Sequence, residues 1–380
     1  MTDGWIRPIA DGWVVRDEVP GPDVDEFAEP ARIVDALRRR HTDTLLAVQH
    51  PHRTPAAMAR GLGLLDALPT ARATLSVLLR TAYRPVRNVV APYEVDGPDG
   101  TAVGVLCMVD PAAVDAEGLE RVRHGEQVYP EIVAERAEVL AGLGHATSAA
   151  MLVPVGERDT LTGAVRTAVA GQDPVVSTID SAGRRHRLWL LPDGDGVLAE
   201  ASTHPLMVAD GNHRVAAAAT AGLTGLLALV TAGPDLRIGA FHRVLTGTGH
   251  TAATLTEAWR RAGLPVTDTD AVTDAEPAHG STVVHTPHGT FTVRLPRTGQ
   301  DHAVVEETLL RDALGLDPEG PHVHPLPAGR RPPTDADAVL HLAPVPLADV
   351  KAVHAAGRRM PRKSTYFTPK PRSGLLLARL

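Results

Sequence analysis

The sequence predicts an α+β fold with mixed sheets, hairpins and packed helices, and three observations carry that expectation. Apolar or alternating runs meet across strong turn signals, as where Asp96-Gly97-Pro98-Asp99-Gly100 separates residues 89–95 from 101–109, the pattern of a β-hairpin. Helical periodicity recurs between such hairpins: Val304, Val305, Thr308, Leu309 and Ala313 share one face of a predicted helix over 302–314. Hairpins and helices also interleave without a regular strand–helix alternation, which argues against a doubly wound parallel sheet.

In chain order, 31–40 reads as a helix, 44–48 as a short apolar strand, and Thr54-Pro55 opens a helix with proline in its first turn. After the first hairpin comes a charged helical region over 117–142, interrupted near Pro130. A second hairpin pairs 175–179 with 186–191 around Asp180-Ser181-Ala182-Gly183. A hydrophobic segment ending at Asp210 then turns at Gly211 into a helix rich in alanine, the best helix former. Strands at 226–230 and 236–244 follow, then a helix over 251–262 stopped by Gly263 and Pro265. A third hairpin joins 282–285 to 290–295 ahead of the helix 302–314. Residues 315–337, rich in proline and glycine, read as a surface connection. A strand at 339–342, a helix over 347–356 ended by Gly357, and a basic closing segment complete the pattern.

Composition bounds the function. At 380 residues, one large α+β unit fits, and so do two packed lobes at about 1–145 and about 146–380. A formal charge of -7 favours small-molecule chemistry over general nucleic-acid binding, which normally needs a basic balance. The single cysteine, Cys107, excludes an intramolecular disulfide framework, fits a reducing compartment and, lying in an apolar run, reads as an inert buried thiol. No apolar leader follows Met1 and no apolar run reaches membrane-spanning length, so a cytoplasmic protein is expected.

The most informative stretch is Asp210-Gly211-Asn212-His213-Arg214, where strand becomes helix. Gly211 permits a tight turn, and the first N–H groups of the helix, at Asn212 and beyond, can point at a phosphate. Asp210 could hold a metal ion or position a hydroxyl, while His213 and Arg214 supply donors to phosphate oxygens. The plain alternative is an aspartate-capped helix start with solvated neighbours. The closing segment carries no acidic residue from Gly357 through Gly374. Its Tyr366, Phe367 and the run Leu375-Leu376-Leu377-Ala378 predict an ordered strand rather than a disordered tail. Lys363, Ser364, Thr365, Lys370, Arg372 and Ser373 on such a segment would make a wall for a polyphosphate.

These motifs resemble the family known as domain of unknown function 1015. The resemblance spans nearly the whole chain and is most specific at Ala209–Arg214 and at Met360-Pro361-Arg362-Lys363-Ser364-Thr365-Tyr366-Phe367-Thr368-Pro369-Lys370-Pro371-Arg372-Ser373-Gly374. The segment 236–244, with its Arg243-Val244 pair, matches the family's strand, and His124-Gly125-Glu126 followed by Glu135-Arg136 is similar to its His-Glu and acidic-Arg pairs. Two departures stand out: Asn212 replaces a usual second histidine, and Gly125 separates His124 from Glu126. The Asp-Gly-x-His-Arg corner is also similar to that of the ParB and sulfiredoxin superfamily, which includes kinases for free serine. The resemblance implies a ParB/sulfiredoxin-like nucleotide corner and a phosphoryl-transfer reaction class.

In that reading the corner amides of Gly211 and Asn212, with Arg214, Arg243 and the closing segment, neutralise a phosphoryl donor. Glu126 is the first candidate for the base that takes the acceptor's proton, its plain alternative being a solvated carboxylate. Asp210 is the second candidate, or a magnesium ligand. His213 donates to phosphate as a neutral imidazole. No Walker loop, dinucleotide glycine motif or nucleophile elbow occurs, and His322-Val323-His324 reads as surface loop rather than a metal site. Two functions stay open. One is a small-molecule kinase using ATP or ADP with Mg2+ to phosphorylate a hydroxyl such as that of free L-serine. The other is a ParB-like nucleotide-binding switch or nucleic-acid-associated protein without kinase activity. The acidic net charge and the absence of a helix-turn-helix signal favour the first.

Overall fold

The strand Gly100–Val109 is buried along almost its whole length because its side chains alternate between two apolar cores. Ala102, Leu106 and Met108 enter one, and Val103, Val105, Cys107 and Val109 the other. Its antiparallel neighbour Leu226–Asp235 is split the same way, with Leu227 and Leu229 on one side and Leu226, Ala228 and Val230 on the other. In this computed structural model, which describes residues 4–24, 30–39, 43–156, 158–268, 277–297 and 299–380, these strands lie at the centre of the first of two units. That unit comprises Met1–Arg237 and Phe367–Leu380; the second is Ile238–Tyr366.

Among the described residues the first unit's main sheet has nine strands. They run Val122–His124, Leu206–Asp210, Ala150–Pro154, Leu226–Asp235, Gly100–Val109, Ala91–Gly97, Arg185–Leu188 and Val176–Ile179, with Ile6–Arg7 also paired to Gly100–Val109. The sheet is mixed, since Leu206–Asp210 is parallel to Val122–His124 but antiparallel to Ala150–Pro154. Helices Leu161–Ala168, Asp195–Ala201 and Asn212–Thr220 bury apolar side chains against one face. The other face shares a core with helix Leu68–Thr81 and a four-stranded sheet of Tyr83–Val89, Ile9–Val15, Leu376–Arg379 and His145–Ala146. The α+β expectation with mixed sheets is met, the closing apolar run does form a strand, and the Cys107 thiol is buried and pushed up to about 12. Among the described residues no helix is long and apolar enough to cross a membrane.

Several local expectations are corrected. Residues 44–48 form a helix, Leu45–Gln49, rather than a strand; the Thr44 hydroxyl caps it by accepting Ala47 N–H at 3.2 Å, and Leu45, Leu46, Ala47 and Val48 are all buried, so no polar face revealed the period. The helical region expected over 117–142 begins only at Pro130. Before it Asp115 accepts the amides of Glu117 and Leu119 at 3.0 and 2.9 Å, closing a turn in competition with helix. A lobe boundary near residue 145 falls inside the first unit, where Ala146 pairs with Ala378. The stretch 315–337 contains the strand Val323–Pro327, so His322 and His324 are strand-edge residues bonded to Thr246.

The second unit is an antiparallel sheet of six strands among the described residues, ordered Val266–Asp268, Gly289–Arg294, Ser281–Thr286, Ala336–His341, Phe241–Thr246 and Val323–Pro327. One face packs on helix Ala252–Arg261 and on Asp301–Asp312, whose second part has π-type hydrogen bonding, around the buried Trp259 and Leu309. Arg243 lies within this unit, only 2% exposed. Its guanidinium donates to Glu306 Oε1 at 3.0 and 2.5 Å and to the carbonyls of Arg362 and Lys363 at 3.2 and 3.1 Å. The expected phosphate role of Arg243 is therefore corrected to a structural one, because burial leaves the group committed to protein acceptors. Glu306→Ala should strand that charge and destabilise the second unit by about 3 to 5 kcal/mol, whereas replacing both Arg243 and Glu306 by leucine should cost far less. Denaturant midpoints of the two variants measure the difference.

Candidate anion-binding site

The strand Leu206–Asp210 ends at Gly211, whose left-handed backbone (φ 89°) turns the chain into the helix Asn212–Thr220. A side chain at Gly211 would be strained by that φ. The N-cap position is held by Gly211 rather than by Asp210. Val208 pairs with His124 in parallel register, which sets the segment after His124 beside the corner.

That segment is tied to the first two helical residues. Asn212, 9% exposed, accepts the amides of Gly125 and Glu126 through one oxygen, at 3.0 and 3.4 Å. An amide carbonyl has two lone pairs and can serve both donors. His213 Nε2 accepts Tyr129 N–H at 3.0 Å, and the two rings stack at 5.6 Å and 11°. As a neutral imidazole His213 must therefore carry its proton on Nδ1. Asn212 and His213, expected to face phosphate directly, thus hold the loop bearing Glu126, and Glu126 is itself buried rather than a solvated helix carboxylate. Gly125 has its own reason here: a Cβ would come 2.4 Å from the Val208 carbonyl oxygen.

Charge gathers at the same helix end. Arg214 donates to the Ala149 carbonyl at 2.5 Å. Lys370, from the closing segment, pairs with Asp210 Oδ1 at 2.5 Å. Arg136 keeps solvent contact as a residue, yet crowding around its guanidinium and the neighbouring Arg214 charge hold it below the usual arginine range, with Glu135 and Asp210 acting in the opposite direction. Arg136 in turn faces His50, which burial first and then Arg53, His52 and Arg136 push down to about 4. Arg53 Nε donates to His52 Nε2 at 3.2 Å. The result is a concentration of cationic groups around two carboxylates at the positive end of a helix dipole, an arrangement complementary to a polyanion. Among the described residues no group of three or more His, Cys, Asp or Glu side chains could hold a metal by itself.

The other expected residues divide. Lys370, Arg372 and Ser373 belong to the first unit; Ser373 is buried and its amide donates to Asp23 at 2.8 Å, while Arg372 N–H donates to Tyr93 Oη at 3.1 Å. Lys363, Ser364 and Thr365 belong to the second unit. Lys363 is exposed with φ 50°, its ammonium 6.0 Å from the Phe241 ring, whereas Ser364 is fully buried and donates to the Pro361 carbonyl at 2.7 Å. Ser364 and Thr365 are thus packed within the fold instead of forming an open wall for phosphate. His50, His52 and Arg53 were missed; the signal was their density, two imidazoles and a guanidinium in His50-Pro51-His52-Arg53.

The family described as "Protein of unknown function (DUF1015)" matches residues 87–309, more than half of the chain. No curated protein matches it. Solved structures similar to it include SbnI with C-terminal truncation from Staphylococcus aureus, 14% identical, at a TM-score of 0.42 over 72% of this chain and 87% of that one. A conserved hypothetical protein from Pyrococcus furiosus, 12% identical, has a TM-score of 0.41 over 71% and 95%. A free serine kinase in complex with AMP, also 12% identical, has 0.41 over 71% and 92%.

The approach of Gly125 to Val208 is the most sensitive joint of the site. Gly125→Ala should push the Glu126 loop off Asn212 and lower stability by about 1 to 3 kcal/mol, the usual cost of overpacking. Thermal unfolding of this variant, with Gly163→Ala as a change outside the joint at a helical glycine with open space around it, reads the effect; unchanged stability in Gly125→Ala would show that the loop shifts freely.

Proposed function

We propose, from the premise that this chain belongs to the DUF1015 family of proteins of unknown function, that its first unit binds a nucleoside phosphate at the corner and transfers a phosphoryl group to the hydroxyl of a small metabolite. The observation that carries this reading is the gathering of Arg136, Arg214 and Lys370 around Asp210 at the N-terminus of the corner helix. Like charges held together in partly buried surroundings oppose folding, and a polyphosphate is the ligand class that would neutralise them.

In this reading the cations bear the donor's phosphates, and the corner amides face the transferred group. The new bond joins the acceptor oxygen to phosphorus, the bond to the leaving phosphate oxygen breaks, and the acceptor's proton passes to Glu126, held beside the corner by Asn212. Asp210 is the one carboxylate of the corner strand suited to Mg2+, a cation usually held by one or two carboxylates together with substrate phosphates and water. A bound Mg2+ would supply charge neutralisation at the phosphates. ATP or ADP is the donor class, and free L-serine heads the panel of acceptors, following the likeness of the Asp-Gly-x-His-Arg corner to free serine kinases.

Calorimetry with ATP and ADP in the presence of Mg2+, followed by phosphoryl-transfer assays with hydroxy amino acids, tests the reading. Arg214→Ala should weaken nucleotide binding by about 1.5 to 3 kcal/mol, as expected for a charged hydrogen bond. Glu126→Gln should lower turnover on the order of a hundredfold with nucleotide affinity nearly intact, and Asp210→Asn should reduce both binding and turnover. Absence of nucleotide binding by the folded wild type would overturn the reading. Binding without transfer to any acceptor would favour a nucleotide-controlled switch instead.

A further inference from the structure

A buried chain of hydrogen bonds runs alongside the closing segment, outside the corner itself. Tyr93 and His186 are each 1% exposed and sit on the paired strands Ala91–Gly97 and Arg185–Leu188. Tyr93 Oη lies 2.6 Å from His186 Nδ1, and His186 Nε2 lies 3.1 Å from Asp180 Oδ2. Burial raises the phenol and lowers the imidazole from their ordinary values, so both are neutral near pH 7. The direction of each bond then follows from the donors available. His186 Nε2–H donates to Asp180, the Tyr93 hydroxyl donates to Nδ1, and the Tyr93 oxygen accepts Arg372 N–H at 3.1 Å. Arg184 extends the chain from Asp180, at 3.4 Å, to Asp99, at 2.7 Å. The Asp99 carbonyl accepts the Thr368 hydroxyl at 3.0 Å.

The network therefore grips the closing segment at Thr368 and at Arg372, on either side of Lys370, whose ammonium pairs with Asp210. All of these residues belong to the first unit. Pairing of the strand Leu376–Arg379 with Ile9–Val15 already fixes the far end of the segment, so fastening it again at 368 and 372 constrains the stretch between them. A lysine side chain has four rotatable stem bonds and loses substantial entropy when it is held at one point. Fixing the backbone on both sides reduces what must be ordered to the stem alone.

We propose that the Asp180–His186–Tyr93 chain, with Arg184 and Asp99, is a positioning device that holds Lys370 at the Asp210 corner. Tyr93, His186 and Thr368 are positioning residues and touch no ligand. The proposal draws on the nucleotide reading for only one of its two readouts.

The test uses the full chain and two measurements. The sequence contains three lysines, Lys351, Lys363 and Lys370, so acetylation by a lysine-selective reagent, followed by mass spectrometry, reports each separately. Tyr93→Phe removes one hydroxyl and should raise the labelling rate of Lys370 about threefold to tenfold, the scale of one hydrogen bond, with Lys351 unchanged. Thr368→Val, which removes the other grip, should act in the same direction and serves if Tyr93→Phe folds poorly. For the second readout, ATP affinity is measured in wild type, Tyr93→Phe, Lys370→Met and the double variant. Tyr93→Phe should weaken ATP by about threefold to tenfold in the wild-type background and by almost nothing when Lys370 is already methionine. An unchanged Lys370 labelling rate in both Tyr93→Phe and Thr368→Val, or an equal loss of ATP affinity with and without Lys370, would overturn the proposal. A wild type that fails to bind ATP would remove the nucleotide reading, and the labelling result alone would then decide whether the network holds Lys370.

Discussion

The accumulation of positive charge at one helix end is the constraint on which the first unit depends. Arg136 and Arg214 share one environment, and Lys370 is brought to it from the far end of the sequence. Their like charges oppose one another, and Glu135 and Asp210 act in the opposite sense on Arg136. The start of the corner helix adds the positive end of its dipole. Stability alone would favour fewer cations or more carboxylates. An excess of cations at the corner is complementary to an anion.

Around this charge several polar side chains are committed to scaffolding. Asn212 and His213 stand in the first turn of the helix, yet their acceptor atoms are occupied by the amides of Gly125, Glu126 and Tyr129. They convert the helix start into a support for a neighbouring loop. Asn212 suits this task, since one amide oxygen accepts two adjacent amides where one imidazole nitrogen accepts a single donor. Gly125 belongs to the same solution, because the loop passes too close to the Val208 carbonyl for any side chain. Arg243 illustrates the opposite outcome in the second unit: a residue equally suited to phosphate by type is consumed by Glu306 and two carbonyls.

The closing segment links sequence-distant parts of the first unit. Its end is a strand between Ile9–Val15 and His145–Ala146, and Gly374 fits at φ 82° where a Cβ would lie 2.3 Å from Leu45 Cδ2. The preceding residues meet Asp99, Asp210, Tyr93 and Asp23 in turn. A segment that looks like a basic tail by composition is mostly buried, because its lysine, hydroxyl and amide groups each find a partner.

Elements with a clear period or turn signal were legible in the sequence. The hairpins around Gly97-Pro98-Asp99 and Ala182-Gly183, the helix Ala252–Arg261 ahead of Gly263, and the strand-to-helix corner at Gly211 all arise where local chemistry has one good solution. The helix Leu45–Gln49 was not legible, since a segment apolar on every side shows no period to distinguish helix from strand. For the site, the sequence determined which residue types were available: Asp210, Glu126, Arg214, Lys370 and Arg243 were all named from motif and charge. Tertiary structure alone decided which of them share a site. It set Glu126 beside the corner through parallel pairing of Val122–His124 with Leu206–Asp210, added Arg136, and buried Arg243 in the second unit. The physical reason is that charge and hydrogen-bonding capacity belong to a residue, whereas its partner depends on which strands pair and which chain segment crosses them, and that information is distributed over the whole fold.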